Sequence, residues 1–560
     1  MACGDTCVDT LSAHDNCGMC GHACGAAEVC GNGTCGASCP GNQTECNNVC
    51  SDTTTDAMNC GGCGMACSAN NVCVDSQCQV PCDHAMLMSA IDDPWGVAWD
   101  GLERPAQALD AAKATCQAFG ARLPTASELY RVSATQSGTV GQSFNTNYIW
   151  SLAPDDKLNQ ATLRLSDGAT TSTPAATATP YRCVCATTLP KTFTGKHCNG
   201  AAGNECFTLG NYNIDTKDRP ALRKSAAVWE CTNERAHMAD APLLVEALRN
   251  GLPGSGTFIS TADQATYQTS FSLKWTSSTW QTATNISHVN LTTAAPFRCA
   301  APKVAQTPNP NTIANQFVGP LSPYKSETMD SATATWTNAH DACFLRGGHL
   351  PRATELAELI EQGLPNGSAV NVWTSDQDGY NTADFLAEVL SWTALEQRFS
   401  YQYTGTATWA YKTDSHVFRC IYYPLDPAYV APTTCTGGCF MVNGGGNPAV
   451  TMWFDSTDRA AKTVADASAD CAASAGHLAS ERDYTEAIRS GLPNGSATYL
   501  LTSDFAFGNP AATNATVVKW TGTQAAFTDL WSATAAAAAM TWSDPDTVRP
   551  YRCMWTNELR

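Results

Sequence analysis

The feature that most constrains this chain is a pair of cysteines that recurs in four copies, one in a helical pattern and one near the copy's end. In the third copy, four residues lie at i, i+3, i+4 and i+7, on one face of a helix: Trp336, Ala339, His340 and Cys343. Gly347 and the following glycine are expected to end this helix, and a second helix is predicted to end near Gly363. An aromatic-Arg-Cys tripeptide then ends at Cys420. We therefore predict two helices followed by strands in every copy.

The other copies show which positions are shared. In the first copy, Thr125 and Glu128 have the spacing of a capping box at the start of the second helix. The second copy replaces the helix-ending glycine by Arg235. The fourth copy carries GLPNGSA at 491–497, identical to residues 363–369. Repeated duplication of one unit accounts for this pattern.

Each helix cysteine has a partner near the end of its copy, 67 to 82 positions later. Such a bond would hold the first helix to the last strand, and in the chain-entropy model it contributes about 4 kcal/mol. The predicted disulfides are Cys116–Cys183, Cys231–Cys299, Cys343–Cys420 and Cys471–Cys553.

The pattern Trp-x-x-Ala-x-x-x-Cys-x-x-x-Gly-Gly-His-Leu, with the final Arg-Cys, resembles the C-type lectin-like domain in its bacterial form. The resemblance implies an α+β fold, with two helices against twisted antiparallel sheets and a long loop region used for binding. It implies four tandem lectin-like domains, at 85–187, 188–302, 313–423 and 425–560. Two further pairs resemble the extra N-terminal disulfide of longer domains of this family: Cys198–Cys206 and Cys435–Cys439.

Two small modules, 1–40 and 41–84, precede these domains and have the same cysteine spacing at a displacement of 43 residues. Segments so short cannot bury a sufficient apolar core, so we expect disulfides to hold them. Eight cysteines suit four bonds in each module, with the connectivity left open among 105 pairings. Zinc binding by Cys17-x-x-Cys20 is disfavoured because the second module has no matching histidines. The pattern resembles repeats of myxobacterial surface proteins and of stigma-specific (Stig1-like) proteins, which implies an extracellular spacer.

This assignment leaves Cys185 without a partner, two residues after Cys183. The cysteine is therefore expected either to be a free thiol or to join another chain.

Composition narrows the possible settings and partners. Twenty-nine cysteines in 560 residues favour an oxidising, extracellular or cell-surface location. A net charge of −19 argues against nucleic-acid binding, and no apolar run reaches membrane-spanning length. No secretory signal precedes Cys3, so the export signal is expected to be missing from this chain.

Catalysis has little support in the sequence, and we predict that the protein is not an enzyme and uses no cofactor. Three histidines share one repeat position, and a structural role explains them better than a catalytic one: His237, His349 and His477. No nucleophile or paired carboxylates recur beside them. The calcium motifs of sugar-binding lectins are absent. A calcium site of another type stays open at Asp376, Asp378 and Asp504.

Tryptophans supply the binding candidates. Three recur at one register in strand-like runs and are predicted to be core residues: Trp275, Trp392 and Trp520. Three others have surroundings that differ between copies and are the candidate ligand-binding residues: Trp280, Trp409 and Trp531. The copies also differ most in length before the last strand, where the family places variable loops.

Two hypotheses of different classes follow. The first is an extracellular adhesin or recognition protein that binds a glycan or a surface protein through loops of the lectin-like domains. The alternative is a structural subunit of an extracellular filament or coat, in which copies of the chain contact one another. We favour the first.

Overall fold

In a computed structural model of the chain, the protein is a mixed α+β structure with disulfide-rich N-terminal modules. The chain divides into two compact units. The first contains residues 1–124, 139–143 and 176–189, and the second contains 125–138, 144–175 and 190–560. The structure describes residues 2–3, 6–8, 10, 13–25, 28–31, 33–36, 39, 43–46, 49–68, 71–74, 77–79, 81–136, 146–156, 158–185, 198, 206–266, 269–275, 286–303, 309, 315–319, 324–368, 370–378, 386–392, 407–443, 449–496, 498–508, 512–520, 538–543 and 546–559.

The two modules consist of short strands and turns, with a 3-10 turn at His14–Asn16. Their strands are β1 Ala2–Cys3, β2 Thr6–Cys7, β3 Val29–Gly31, β4 Thr34–Gly36, β5 Thr44–Cys46, β6 Val49–Ser51, β7 Val72–Val74 and β8 Gln77–Gln79. Strands β3 to β6 form one sheet in the order β4-β3-β6-β5, so the two modules share a sheet. The disulfides within modules are Cys17–Cys30, Cys24–Cys35, Cys46–Cys63, Cys60–Cys73 and Cys67–Cys78.

The modules do not each close four disulfides of their own, and this corrects the expectation for Cys185. The last cysteine of each module bonds outside its own module. Cys39 bonds to Cys50 of the second module, and Cys82 bonds to Cys185 of repeat one. Cys185 is therefore neither a free thiol nor available to another chain. The side chains of Cys3 and Cys7 lie outside the described residues.

Repeat one, 85–187, contributes elements to both units, and a 3-10 turn at His84–Met86 precedes it. Its elements are β9 Ile91–Asp92, β10 Ala98–Trp99, β11 Arg104–Gln107, α1 Leu109–Gln117, α2 Ala126–Val132, β12 Tyr148–Pro154, β13 Asn159–Arg164, β14 Thr170–Pro174, β15 Thr179–Tyr181 and β16 Val184–Cys185. The predicted capping box at Thr125 and Glu128 is confirmed.

Repeat two, 188–302, pairs its last strand with its second in the antiparallel sheet β17-β18-β23-β19 and has a three-stranded hairpin sheet, β20-β21-β22. The elements are β17 Cys206–Leu209, β18 Tyr212–Asp215, α3 Lys224–Asn233, β19 His237–Met238, α4 Ala241–Arg249, β20 Ser255–Thr266, β21 Thr269–Trp275, β22 Ile286–Asn290 and β23 Cys299–Pro302.

Repeat three, 313–423, repeats this plan, with sheets β24-β25-β31 and β26-β30-β27-β28-β29. The elements are β24 Gln316–Val318, β25 Lys325–Glu327, β26 Ser331–Ala334, α5 Trp336–Leu345, α6 Ala353–Glu361, β27 Val372–Asp378, β28 Leu386–Leu390, β29 Ala407–Tyr411, β30 His416–Phe418 and β31 Ile421–Tyr422.

Repeat four, 425–560, has sheets β32-β33-β40-β35 and β34-β39-β36-β37-β38. The elements are β32 Cys439–Asn443, β33 Thr451–Asp455, β34 Arg459–Lys462, α7 Val464–Ala473, β35 His477–Leu478, α8 Glu481–Arg489, β36 Leu500–Gly508, β37 Ala512–Trp520, β38 Ala538–Ser543, β39 Arg549–Tyr551 and β40 Cys553–Thr556.

In every repeat the helix cysteine bonds to the strand cysteine that the sequence predicts, and both sulfurs are buried in the core. These bonds are Cys116–Cys183, Cys231–Cys299, Cys343–Cys420 and Cys471–Cys553. The local pairs Cys198–Cys206 and Cys435–Cys439 also form.

The first helix of each repeat ends in a left-handed residue four positions after its cysteine. The residues and their φ angles are Gly120 at 75°, Arg235 at 58°, Gly347 at 73° and Ala475 at 57°. Glycine adopts this conformation freely, whereas a side chain makes it cost roughly 1–2 kcal/mol. Repeats two and four therefore carry strain at this turn that repeats one and three do not.

Candidate functional site

The three histidines that share one repeat position link repeats two, three and four to one another. Each lies three residues before the N-cap of the second helix of its own repeat. Each contacts a glutamate in the second helix of a different repeat, at the sixth position after that helix's N-cap. The contacts are His237 Nδ1 to Glu358 Oε2 at 2.8 Å, His349 Nδ1 to Glu486 Oε1 at 2.8 Å and His477 Nδ1 to Glu246 Oε2 at 3.2 Å.

These contacts form a closed cycle, because repeat two contacts three, three contacts four, and four contacts two. The same two kinds of surface meet at each junction: one carries the histidine and the other carries the glutamate. The three repeats are therefore related by an approximate threefold rotation. Repeat one has Arg122 in place of the histidine and Arg131 in place of the glutamate, and it has neither half of the contact. We call this arrangement of repeats two to four the ring.

The junction between repeats three and four has the most deeply buried charges. His349 also contacts Glu558 through Nε2 at 2.9 Å, and the side chains of all three partners are at most 2% exposed. Burial alone would lower the pKa of His349, but the facing Glu558 and Glu486 carboxylates outweigh it, and the pKa is raised. The imidazolium is thus the form that this site stabilises.

The other two junctions are less buried. His237 and Glu358 are 17% and 2% exposed; burial lowers the pKa of His237, but the facing Glu358 carboxylate outweighs this and the pKa is raised. His477 is 44% exposed beside Glu246 at 9%. The three links share the histidine–glutamate contact, but they differ in desolvation, and His349 also contacts a second carboxylate, that of Glu558.

Helix packing and apolar side chains follow the same cyclic order. At two junctions the first helix of one repeat packs on the second helix of the next: α3 packs on α6, and α7 packs on α4. Leu291 of repeat two lies in the core of repeat three, Phe344 of repeat three packs on the core of repeat four, and Ala465 of repeat four lies in the core of repeat two. The ring is thus held by apolar burial as well as by charge.

Carboxylates cap the second helices close to the centre of the ring. The first helical N–H groups of α4, α6 and α8 donate to Asp263, Asp376 and Asp504, each at 2.6 Å. Arg352 donates to Asp263 at 3.2 Å and to Asp240 at 2.9 Å, and its charge favours the ionised form of all three capping aspartates. Burial nonetheless raises the pKa of Asp263 to about 7.

The aspartates considered for calcium therefore have another use. Asp376 and Asp504 accept helix N–H groups, and Arg352 supplies the neighbouring positive charge. The side chain of Asp378 lies outside the described residues. In the part of the chain that the structure describes, the potential ligand groups close enough to share an ion are two cysteine sets: Cys17, Cys24 and Cys35, and Cys60, Cys67 and Cys78. All six are in disulfides and cannot act as thiolate ligands.

Two cavities adjoin the junctions. One of about 120 Å³ lies between repeats two and four, beside His477, Glu246 and Leu243. A second of about 70 Å³ lies between repeats two and three, beside His237 and Tyr324. Both are well below the roughly 300–1,000 Å³ of sites that enclose a drug-sized ligand.

The second feature that recurs in the ring is a buried arginine from the aromatic-Arg-Cys motif. This arginine lies over the indole of the repeated tryptophan. Its guanidinium donates to an aspartate and to the backbone carbonyl of the proline that follows the second helix. For Arg419 these partners are Trp392 at 4.7 Å, Asp330 at 2.7 Å and Pro365 at 3.2 Å. Arg298 and Arg552 make the same three contacts. The Gly-Leu-Pro turn that all three repeats share thus supplies the acceptor carbonyl.

The repeated tryptophans are core residues, as predicted. Trp275, Trp392 and Trp520 are at most 4% exposed. Trp275 and Trp520 end the middle strand of their hairpin sheets and Trp392 lies two residues after its own, so each stands where the segment of variable length begins. These segments are 276–285, 393–406 and 521–537, and they lie outside the described residues. The tryptophan that precedes each segment is held in place by its contact with the buried arginine, and we call these three tryptophans the anchors of the segments.

Of the three candidate binding tryptophans, the structure describes Trp409. Trp409 lies in β29 opposite Glu388 and is half-buried. Trp280 and Trp531 belong to the variable segments, outside the described residues. Whether they bind a ligand stays a prediction.

The glutamates of the ring were missed by sequence reasoning, although a signal for them exists. Glutamate occurs at one helix position in the three repeats that carry the histidine, and both are missing from repeat one. Such joint occurrence is typical of residues in contact.

No protein-family model matches the chain, and no curated protein is detectably similar to it. Among the described residues, no helix is both long and apolar enough to cross a membrane.

Proposed function

We propose that this protein is an extracellular recognition protein of the adhesin type, whose four repeats are C-type lectin-like domains. In this proposal, repeats two to four bind a glycan or a surface protein through the variable segments 276–285, 393–406 and 521–537. The observation that carries the proposal is the anchoring of each segment on a buried arginine–tryptophan pair in a closed ring. Variable segments on a rigid scaffold are where proteins commonly place binding.

The ring adds a reason for strong attachment. A rotation about one axis keeps equivalent positions at the same height, so the three anchors are expected at one level along that axis. Binding sites held together in this way engage a repetitive surface with a high effective concentration, and avidity exceeds the affinity of one site. The thirteen described disulfides fit the oxidising, extracellular setting that such a role requires.

The test is saturable binding of the oxidised full chain to a glycan array and to intact surfaces of the source cells, with and without calcium. Variants replace each variable segment by a short Gly-Ser turn, singly and together. Val370→Ser, at an exposed position outside these segments, serves as the control. We expect stepwise loss of binding across the single variants and near-complete loss in the triple variant. No saturable binding by the parent, or equal binding by the triple variant, would overturn the proposal.

A filament or coat subunit remains the second candidate, and one observation favours it. Each junction of the ring joins two different surfaces, and interfaces of this kind continue into open arrays when they do not close. Negative-stain microscopy of native material before and after dilution separates the candidates, because filaments that persist would favour the structural role.

A further inference from the structure

The three junctions of the ring differ in how the chain supports them. Residues 303–312 join repeat two to repeat three, and residues 424–434 join repeat three to repeat four. No linker joins repeat two directly to repeat four, because the whole of repeat three lies between them in the sequence. In the described part of the chain, no disulfide crosses from one of these repeats to another. The junction of repeats four and two, which we call the closing junction, is therefore held by non-covalent contacts alone.

The closing junction is also the most hydrated of the three. Its ion pair between Arg249 and Asp466 has side chains 29% and 45% exposed, and His477 is 44% exposed. Exposed pairs of this kind contribute little net stability. The larger of the two cavities lies here as well. Of the three junctions, this one has the most exposed charged contacts, so it relies on apolar contacts and on the packing of α7 on α4.

The surfaces that would separate are apolar at their centres. Ala465 at the start of α7 is 4% exposed within the core of repeat two, and Phe505 lies 6.2 Å from Phe271 between ring centroids. If the junction opens, both surfaces become exposed, and exposed apolar patches favour association. The surface complementary to each is present on every other copy of the chain.

We propose that the closing junction forms between two copies of the chain as well as within one, so that repeat four of one copy docks on repeat two of the next. A closed head-to-tail dimer contains two such junctions, the same number as two closed monomers. The exchange therefore loses no contacts, as in domain swapping. Intrachain closure prevails in dilute solution because linked partners have a high effective concentration. Concentrated protein shifts toward dimers and longer head-to-tail arrays.

The pair Arg249–Asp466 offers a selective test, because the equivalent positions at the other junctions do not hold an Arg–Asp pair. They are Glu361 with Ala226 and Arg489 with Asn338. Arg249→Asp places two carboxylates at the closing junction of its own chain, and Asp466→Arg places two guanidinium groups there. In a mixed head-to-tail dimer of the two variants, both junctions regain opposite charges. The double variant Arg249→Asp/Asp466→Arg regains them within one chain and is the matched control.

The experiment mixes the two full-length variants at high concentration in mild urea, removes the urea, and measures mass by light scattering after gel filtration. The expected result is a species of twice 59.3 kDa, at least tenfold more abundant in the mixture than in either variant alone, while the double variant stays at 59.3 kDa. Native mass spectrometry with one variant isotopically labelled must show one copy of each. A mixture that stays monomeric, or single variants that dimerise as well as the mixture does, would overturn the proposal. Recovery of folded double variant separates misfolding of a single variant from failure of the exchange.

Discussion

Replacing His349 by glutamine tests whether burial sets the strength of the ring's three links. The change removes the positive charge between Glu486 and Glu558, and both carboxylates stay buried, with His340 at 3.8 Å from Glu486 as the nearest remaining imidazole. Removing one partner of a buried charge cluster costs about 3–5 kcal/mol, because the remaining charge stays desolvated. This is a large part of the roughly 5–15 kcal/mol that stabilises a typical domain.

The same substitution at His477 provides the matched control. Its link to Glu246 uses the same atoms at the equivalent position, but 44% of the histidine side chain is exposed. An exposed pair is worth about 0–1 kcal/mol, so His477→Gln should change the free energy of unfolding little. His237→Gln, at 17% exposure, should fall between the two.

Urea unfolding of the oxidised protein, followed by tryptophan fluorescence and hydrogen exchange, measures these differences. The expected order of destabilisation is His349, then His237, then His477. Equal losses at His349 and His477 would refute the reasoning, because His349 is buried between two carboxylates whereas 44% of the His477 side chain is exposed beside one.

Three further predictions follow from the described contacts. Because the folded pKa of His349 is raised, its stabilising contribution is fully present below its unfolded pKa of about 6.5 and is lost as pH rises through the folded pKa. The difference in unfolding free energy between wild type and His349→Gln should therefore shrink on going from pH 6 to pH 9, and a constant difference would contradict this assignment. Ala475→Gly should stabilise the protein by about 1 kcal/mol in thermal or urea unfolding, because glycine removes the left-handed strain, whereas Gly347→Ala should destabilise it. Peptide mapping without reduction should recover residue 82 linked to residue 185, and alkylation of Cys185 in the native protein would disagree with that bond.

Features that lie within one repeat could be predicted from the sequence. The helix cysteines, their strand partners and the capping box at Thr125 depend on spacing within one repeat, and the structure has all of them. The burial of Trp392 followed from its recurrence at one register. Periodicity and spacing report such features because the residues involved lie in the same repeated unit.

Contacts between different modules and repeats could not be predicted from the sequence in the same way. Cys185 was wrongly left without a partner, because counting eight cysteines per module assumes that each module closes on itself. In fact Cys82 reaches the following repeat. The histidines were interpreted as structural, but their glutamate partners were not identified. Those partners lie 121 to 231 residues away in other repeats, where spacing within one repeat gives no information. Left-handed Arg235 and Ala475 show that the packing around the turn overrides local preference.

The closed ring is the central claim, and cutting the chain tests it most directly. A protease site introduced at Val430, which is 81% exposed between repeats three and four, allows the backbone to be cleaved in the oxidised protein. The four cysteines beyond this site pair with one another, so no disulfide links the two fragments. The ring predicts that the fragments co-elute in gel filtration, since repeat four contacts both repeat three and repeat two. Release of repeat four as a separate folded fragment on cleavage would contradict it.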